Sequence, residues 1–596
     1  MDLARRNLEA ALRLLQALIR QGAGPVVLCP GSRSGPLATA AGMLERRGLR
    51  LLTAVDERSA AFLALGCSRA GDGCAAVITT SGTAVANLLP AAVEADLGGI
   101  PLLLISADRP QRLKGCGANQ TVNQEAFLAC SVRAVLQGDG RGLAVMAPEA
   151  LDQLGLRAMA ATAAGPAAPA GPVHLNLPLE EPLHLDGPGL QAVASGLAMA
   201  SSSPASASVP AAASVPMARP PWPRIGAAGL DPDQSGVVVA GPWRGRPQHW
   251  PAFLEALRRW QVRSGWPVLA DGLSGLRGAA GLALVGGADL ALDPVPADLL
   301  VGQVLRLGPM PASRRIQQFL QACGGHQVLI SEQEPRRLDP LGTAALQWAG
   351  GLAGWLDQLP PGCLAGHPGA GSMALARRWR RLDQAVQQLL DRELVGEDWG
   401  EPALARQLSR LLPEGVPLVI ANSSPVRDWD SFAVPGGTAR AVHAFRGASG
   451  IDGTLSLACG VAEVQGRAVL LTGDLALLHD SNGWLWHGQL AGRLVVVLID
   501  NGGGGIFEQL PIRPEGDGPL DFERLFAMPQ AVNPVALAAA HGVPARSVSG
   551  PASLAADLAW ALAQPMALLH VPTDRRRDAA RRQALRRMAS ALAACP

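Results

Sequence analysis

Lysine is all but missing from this 596-residue chain: Lys114 stands alone among 51 basic residues, and the others are arginine. Against 49 acidic residues the formal net charge is only +2, so no global field favours nucleic acid. Long hydrophobic runs are missing as well. Apolar residues make up 48% of the chain, yet runs such as the one ending in Leu494–Ile499 are strand-sized. They fall well short of the roughly 20 residues needed to cross a bilayer. At the N-terminus Arg5, Arg6, Glu9, Arg13 and Arg20 interrupt any signal-like stretch, while Leu8, Leu12, Leu15 and Ile19 recur at helical spacing. That pattern predicts an amphipathic surface helix and a soluble, cytoplasmic protein. The nine cysteines are odd in number and scattered without a C-x-x-C pair, and the ten histidines contain no H-x-x-x-H. A disulfide framework and a zinc site are excluded, and a reducing compartment is implied. A metal, if bound, should be a hard cation held by oxygens. Nucleotide signatures are lacking too: Gly502-Gly503-Gly504-Gly505 has no following Lys-Ser/Thr, and no G-x-G-x-x-G follows a first strand.

What is present is alternation. The length suggests about three or four domains. Residues 1–185 alternate helical patterns with short apolar runs, with strands expected at Pro25–Cys29, Ala76–Thr79, Leu102–Ser106 and Val173–Leu177. Residues 186–235 turn rich in Ser, Ala and Pro and read as a linker or surface excursion. A central α/β domain over 236–365 opens on Val237-Val238-Val239-Ala240, with further strands expected at Leu299–Leu305 and Gln327–Ile330. A last domain over 372–596 should hold strands near Pro417–Ala421, Ala468–Thr472, Leu494–Asp500 and Ala567–Val571. A basic helical tail, Arg575–Ala594, closes it and reads as a solvated terminal helix. Repeated βαβ units imply an α/β protein of three doubly wound domains with mostly parallel sheets.

The most informative stretch is Leu471–Pro511. A strand leads into Gly473-Asp474-Leu475, then come a helical segment and a strong strand, then Asp500-Asn501-Gly502-Gly503. One helix and one strand separate Asp474 from Asn501, which places both at the carboxyl ends of neighbouring parallel strands, where ligands bind. A carboxylate (Asp474), an amide oxygen (Asn501) and a loop carbonyl (Gly503) form a hard-oxygen set suited to Mg²⁺ on a diphosphate. The glycines let backbone N–H groups approach phosphate oxygens. Turn residues at strand ends are the plainer alternative for each taken singly.

This segment resembles the motif of thiamine-diphosphate enzymes, Gly-Asp-Gly followed a helix and a strand later by Asn-Asn, with Leu475 and Asp500 as departures. Val55-Asp56-Glu57-Arg58-Ser59 resembles the turn bearing that superfamily's activating glutamate. Glu57 would be the catalytic residue, sharing a proton with N1′ of the cofactor's aminopyrimidine; helix capping is the alternative, which suits Asp56 better. Gly171–Pro178 is similar to the end of the pyrimidine-binding domain. On this resemblance 1–185 is the pyrimidine-binding domain and 372–596 the diphosphate-binding domain.

The resemblance narrows further. Cys29-Pro30-Gly31-Ser32-Arg33-Ser34, Thr80-Ser81-Gly82-Thr83, Ala107-Asp108-Arg109-Pro110, Gly117-Ala118-Asn119-Gln120-Thr121, Asn422–Arg427 and Arg446–Gly453 resemble the 2-succinyl-5-enolpyruvyl-6-hydroxy-3-cyclohexene-1-carboxylate synthases of menaquinone and phylloquinone biosynthesis. Membership implies a transferase that uses thiamine diphosphate and Mg²⁺ (or Mn²⁺) to decarboxylate 2-oxoglutarate and add the product in 1,4 fashion to isochorismate. Substrates with this many carboxylates call for arginines on strand-end loops, and Arg33, Arg109, Arg427 and Arg446 occupy such contexts. Ser32, Asn119, Gln120 and Ser423 would add polar contacts, and Arg314 or Arg315 a basic group from the central domain. Gly473, Ser449, Ile451, Gly503 and Phe507 would line the cofactor; core packing is the alternative for Ile451 and Phe507. Because Glu57 and Asp474 lie in different domains yet must grip opposite ends of one cofactor, the resemblance implies a homodimer or dimer of dimers, with neither nucleic acid nor membrane as partner. Two rivals remain: another thiamine enzyme such as an acetolactate synthase or 2-oxoacid decarboxylase, and a catalytically silent relative.

Overall fold

A computed structural model describes residues 2–201, 229–394, 396, 399–513 and 520–593. The chain forms two compact units. The first takes in residues 1–220 together with Arg446–Ser449 and Cys459–Val464, and the second takes in the rest. Among the described residues no helix is long and apolar enough to cross a membrane.

The first unit is built on β1 (Ala23–Leu28), β2 (Leu51–Thr53), β3 (Cys74–Thr79), β4 (Leu102–Asp108), β5 (Val135–Gln137) and β6 (Pro172–Pro178). They form one parallel sheet in the order β2-β1-β3-β4-β6-β5. Strands β3, β4 and β6 are buried along their whole length, as parallel strands covered on both faces must be, and they read in sequence as near-continuous apolar runs. The expected N-terminal helix spans Leu3–Arg20. Asp2 caps it by accepting from the Ala4 N–H at 3.2 Å, and it buries Leu8, Leu12 and Leu15. The stretch read as a linker begins differently: Gly187–Ser201 is α-helical, with Val193 in the core of the first unit. The Ser/Pro-rich remainder of that expectation, 202–228, lies outside the described residues.

A polar network runs under β4 and β6. His174 is fully buried, and its Nε2 lies 2.7 Å from Ser106 Oγ, which also donates to Asn176 Oδ1 at 2.9 Å. Burial lowers the His174 pKa to about 4, although Asp108 nearby pulls it up. Between this value and the ordinary 6.5 the unfolded chain binds the proton and the folded chain does not, so stability falls as pH drops through that window. The full loss is on the order of 3 kcal/mol. Thermal unfolding followed from pH 7 to 4.5 should show this loss, and His174→Gln should flatten it; an unchanged slope would remove the assignment.

The second unit carries two sheets. One comprises β7 (Val237–Ala240), β8 (Val268–Ala270), β9 (Leu284–Val285), β10 (Gln303–Leu307), β11 (His326–Ile330) and β12 (Ala344–Trp348), in the order β12-β11-β10-β7-β8-β9. The strand expected at Leu299–Leu305 begins later, because Pro296 starts a 3-10 turn that takes up Ala297–Leu299. The other sheet comprises β13 (Leu418–Ile420), β14 (Val442–His443), β15 (Arg467–Gly473), β16 (Arg493–Asp500), β17 (Ala545–Ser547) and β18 (Met566–Pro572), in the order β14-β13-β15-β16-β18-β17. One apolar core joins the two sheets, with Val304 and Leu269 on one side, Val469 and Val495 on the other, and Trp379 between helices. All three sheets are parallel throughout. The fold class is therefore as expected: α/β, with three doubly wound domains.

The basic tail needs correction. Its helix, Arg575–Ala593, is not simply solvated: Asp578, Arg582, Leu585 and Ala589 are buried, and its arginines reach into the domain.

Candidate active site

In the third sheet β15 pairs directly with β16, with Gly473 opposite Ile499. Asp474 and Asn501 therefore leave adjacent strands at the same edge. Asp474 opens the short helix Asp474–His479 and accepts the Leu475 N–H at 2.8 Å on Oδ1 and the Gly503 N–H at 2.7 Å on Oδ2. Burial raises its pKa to about 6 despite these bonds. Its ionised form is thus disfavoured unless a positive charge lies close by. Asn501 is buried and donates from Nδ2 to Glu401 Oε1 at 2.8 Å, while its Oδ1 is buried with no partner. An orphaned amide oxygen beside a destabilised carboxylate fits a hard cation. Gly503 has φ +117°, and a Cβ there would lie 2.0 Å from the Ala527 carbonyl oxygen, so the loop accepts only glycine. Among the described residues no three His, Cys, Asp or Glu side chains cluster as a metal site. The set here is one carboxylate, one amide and backbone.

One of the motif's two departures has a structural partner. Asp500 stands where the resemblance has asparagine, and its Oδ2 lies 2.8 Å from His570 Nε2 on the neighbouring β18. That bond holds the Asp500 pKa below the usual carboxylate range. The glycine loop is gripped from the C-terminal helix: Arg575 donates from Nη1 to the Gly502 carbonyl and from Nε to Glu508 Oε1, both at 2.8 Å. Phe507 packs edge-on against Phe526 at 5.6 Å. Ile451 is half-buried, and its carbonyl accepts from Thr454 Oγ1 at 2.9 Å.

In the first unit Glu57 opens the helix Glu57–Ala70, whose cap is Asp56: the Asp56 Oδ1 accepts the Arg58 N–H at 2.9 Å. Glu57 is half-buried, and its Oε2 accepts from Asn87 Nδ2 at 3.4 Å. Asp56 takes the capping role, which leaves the Glu57 carboxyl available for chemistry.

Arg33 and Arg109 come together at the carboxyl ends of β1 and β4. Arg33 donates to the Leu179 carbonyl at 2.9 Å and to Glu181 Oε1 at 2.7 Å, while its buried Nε has no partner. Arg109 is held by neutral groups, the Ser81 hydroxyl and the Gln120 carbonyl, and no carboxylate pairs with it among the described residues. Burial lowers its pKa, and the Arg33 charge lowers it further. Asp108 and Glu181 oppose that shift, and two guanidinium groups this close form a locally basic pocket suited to an anion. Gln120 itself has φ +58° and is exposed, as are Asn119 and Ser32.

Arg446 and Ser449 belong to a loop of the first unit held by Glu94, whose buried carboxylate accepts the N–H groups of Gly447, Ala448 and Ser449 at 2.8, 2.7 and 3.2 Å. A Cβ on Gly447 would fall 2.9 Å from Glu94 Oε1. In the second unit Ser423 adopts φ +76°, a strained conformation for serine, at the start of the helix Ser424–Phe432. Its carbonyl accepts from Arg427 Nη1 at 2.7 Å. Arg314 is exposed at the start of the helix Arg314–Ala322, whereas Arg315 is engaged by Asp289 and Asp293. Sequence reasoning missed Glu94, Glu401, Arg575, Arg582 and His570, since each acts through a partner distant in sequence.

Three family models cover most of the chain: the N-terminal TPP binding domain of thiamine pyrophosphate enzymes at residues 8–127, the middle domain at 232–420 and the C-terminal TPP binding domain at 437–571. The chain is 54% identical to a 2-succinyl-5-enolpyruvyl-6-hydroxy-3-cyclohexene-1-carboxylate synthase of Synechococcus sp. (strain RCC307), over 98% of this chain and 97% of that one. Similar relatives with the same name occur in Synechococcus sp. (strain CC9902), 53% identical over 96% of this chain and 98% of the relative, and in Prochlorococcus marinus (strain MIT 9313), 49% identical over 94% and 96%. Matched end to end at this identity, and carrying the two strand-end clusters just described, the chain belongs to the 2-succinyl-5-enolpyruvyl-6-hydroxy-3-cyclohexene-1-carboxylate synthase family of thiamine pyrophosphate enzymes.

Proposed function

We propose that this chain decarboxylates 2-oxoglutarate and joins the remaining succinyl unit in 1,4 fashion to isochorismate, releasing CO₂, as a step of menaquinone or phylloquinone biosynthesis. The observation that carries the substrate class is the buried Arg33–Arg109 pair, in which Arg109 has only neutral partners. Thiamine diphosphate, when bound, supplies the electron sink for loss of CO₂.

The residues divide the remaining work. Asp474, the free Oδ1 of Asn501 and the Gly503 carbonyl hold a Mg²⁺ ion, or Mn²⁺, on the diphosphate. Gly473, Ser449, Ile451 and Phe507 line the cofactor. Glu57 shares a proton at N1′ of the aminopyrimidine, the one general acid–base role assigned to a side chain here. Arg33, Arg109, Arg427 and Arg446 neutralise and orient substrate carboxylates, helped by Ser32, Asn119, Gln120 and Ser423, with Arg314 as the basic group of the central domain. Charge neutralisation by preorganised donors is the protein's main contribution to the barrier. The active form is a homodimer or dimer of dimers, with Glu57 and Asp474 of different subunits meeting at one cofactor. No disulfide forms among the cysteines of the described residues, and a cytoplasmic location is proposed with it.

Purified protein supplied with 2-oxoglutarate, isochorismate, thiamine diphosphate and Mg²⁺ should consume isochorismate only when the cofactor is present; no cofactor-dependent loss would refute the assignment. Arg109→Met should lower kcat/KM by about 10–100-fold, the worth of one or two charge-assisted hydrogen bonds, with the effect falling mainly on KM.

A further inference from the structure

Glu401 lies 100 residues from Asn501 in sequence, yet its carboxylate meets the amide directly. It is the first residue of the helix Glu401–Leu411 and is almost completely buried. Its two oxygens have different duties. Oε1 accepts from Asn501 Nδ2 at 2.8 Å, and Oε2 accepts from Arg582 Nη2 at 2.6 Å. Arg582, equally buried on the C-terminal helix, is pinned in turn by Asp428 through Nε at 2.7 Å and Nη2 at 2.5 Å.

The chemistry of these groups fixes an orientation. A guanidinium can only donate, so Glu401 accepts at Oε2, which leaves Oε1 to take the Asn501 Nδ2 donor at 2.8 Å. Asn501 must therefore turn its NH₂ toward Glu401. An amide has its oxygen on the other branch, so Oδ1 is forced away from Glu401, and there it lies buried without a partner. Swapping oxygen and nitrogen would place acceptor against acceptor at one end and an NH₂ group in the cation site at the other.

We infer that Glu401, locked by Arg582, is a positioning residue that sets the amide of Asn501 with its oxygen toward the metal. This rests on the reading of Asn501 and Asp474 as metal ligands. It also gives the basic C-terminal helix a role in cofactor binding, transmitted through Glu401 and Asn501.

The test is an isosteric swap read by Mn²⁺ affinity in the presence of thiamine diphosphate, measured by electron paramagnetic resonance of free Mn²⁺, with no substrate. In Glu401→Gln the single amide oxygen is claimed by Arg582, so the new NH₂ faces Asn501. Asn501 then flips, presents nitrogen to the metal, and Mn²⁺ affinity falls by about 10–100-fold, as for loss of an outer partner of a ligand. Asn501→Asp alone sets two buried carboxylates against each other and also weakens binding. The double variant Glu401→Gln/Asn501→Asp restores every donor–acceptor pair, since the introduced amide donates to one oxygen of the introduced carboxylate and leaves the other for the metal. Mn²⁺ binding should recover to well above either single variant. Wild-type affinity in Glu401→Gln, or a double variant that binds no better than the singles, overturns the inference; so does a double variant that fails to fold. Asp474→Ala separates the two readings: if it binds Mn²⁺ normally, the metal site itself is misassigned, whereas loss there with no effect of Glu401→Gln discards only the positioning role.

Discussion

Glu57→Gln should lower turnover by about 10²–10⁴-fold, the contribution of one well-placed general acid–base group. Glutamine keeps the length, the planar head and an acceptor for Asn87, whose Nδ2 lies 3.4 Å from Glu57 Oε2, so the site should keep its shape. What is lost is the exchangeable proton. The neighbouring Asp56 provides the contrast. It caps the helix Glu57–Ala70 through the N–H groups of Arg58 and Ser59, and Asp56→Ala should cost about 1 kcal/mol of stability. If Glu57 mattered only as part of the helix start, the two variants would behave alike. Hydrogen–deuterium exchange at the thiazolium C2 of bound cofactor, together with steady-state turnover and thermal unfolding, tells them apart. The assigned role predicts slow exchange and normal unfolding for Glu57→Gln, and the reverse for Asp56→Ala. Unchanged turnover in Glu57→Gln would end it.

Asp474→Asn should change both the pH dependence of unfolding and the affinity for a divalent cation. In the protein without cation, burial raises the Asp474 pKa to about 6, so at neutral pH its ionised form burdens the folded state by roughly 3 kcal/mol. The folded state binds the proton more readily than the unfolded chain between the ordinary value and 6. Hence the burden is absent at low pH and fully present above pH 6. Asparagine removes this charge but turns its NH₂ toward one of the two N–H donors that Asp474 accepts, so the cation-free variant should lose the fall in stability that the wild type shows as pH rises through 6. The same change removes the only carboxylate from the proposed ligand set, and cofactor-dependent Mn²⁺ affinity should fall by more than the roughly 100-fold expected for an outer partner. Activity should fall with it. Calorimetric unfolding across pH, with and without Mn²⁺ and thiamine diphosphate, measures both effects; a variant that keeps the wild-type pH dependence, or that binds Mn²⁺ as well as before, contradicts the assignment.

The sheet pair that carries this chemistry was legible in the sequence because its strands are long and buried. β15 and β16 read as apolar runs, and the single helical segment between them required adjacency. The two-residue strands β9 and β14 carry too little pattern to register. Arg33 and Arg109 were legible as strand-end residues through the family resemblance, but their mutual approach and the neutral hydrogen-bond partners of Arg109 are facts of folding. The departures Leu475 and Asp500 show the limit most plainly. Asp500 looked like a lost asparagine, but it is half of a pair with His570, on a strand 70 residues further along. Glu401 and Arg582 left no local trace either. One sits at a helix start, where acidic residues are common, and the other in a run of arginines that resembles any solvated tail.

The clamp of Glu94 on the loop Gly447–Ser449 bears on the order in which the polypeptide can mature. The first compact unit includes Arg446–Ser449 and Cys459–Val464, so its residues are not contiguous in the chain. On the ribosome, the segment up to Pro220 emerges long before those that complete it. At about 5–20 residues per second the wait is on the order of tens of seconds. Throughout it, the Glu94 carboxylate lacks the three backbone donors that satisfy it in the finished protein. Separate expression of residues 1–220 should therefore yield a species that gains resistance to proteolysis only when the missing segments are supplied.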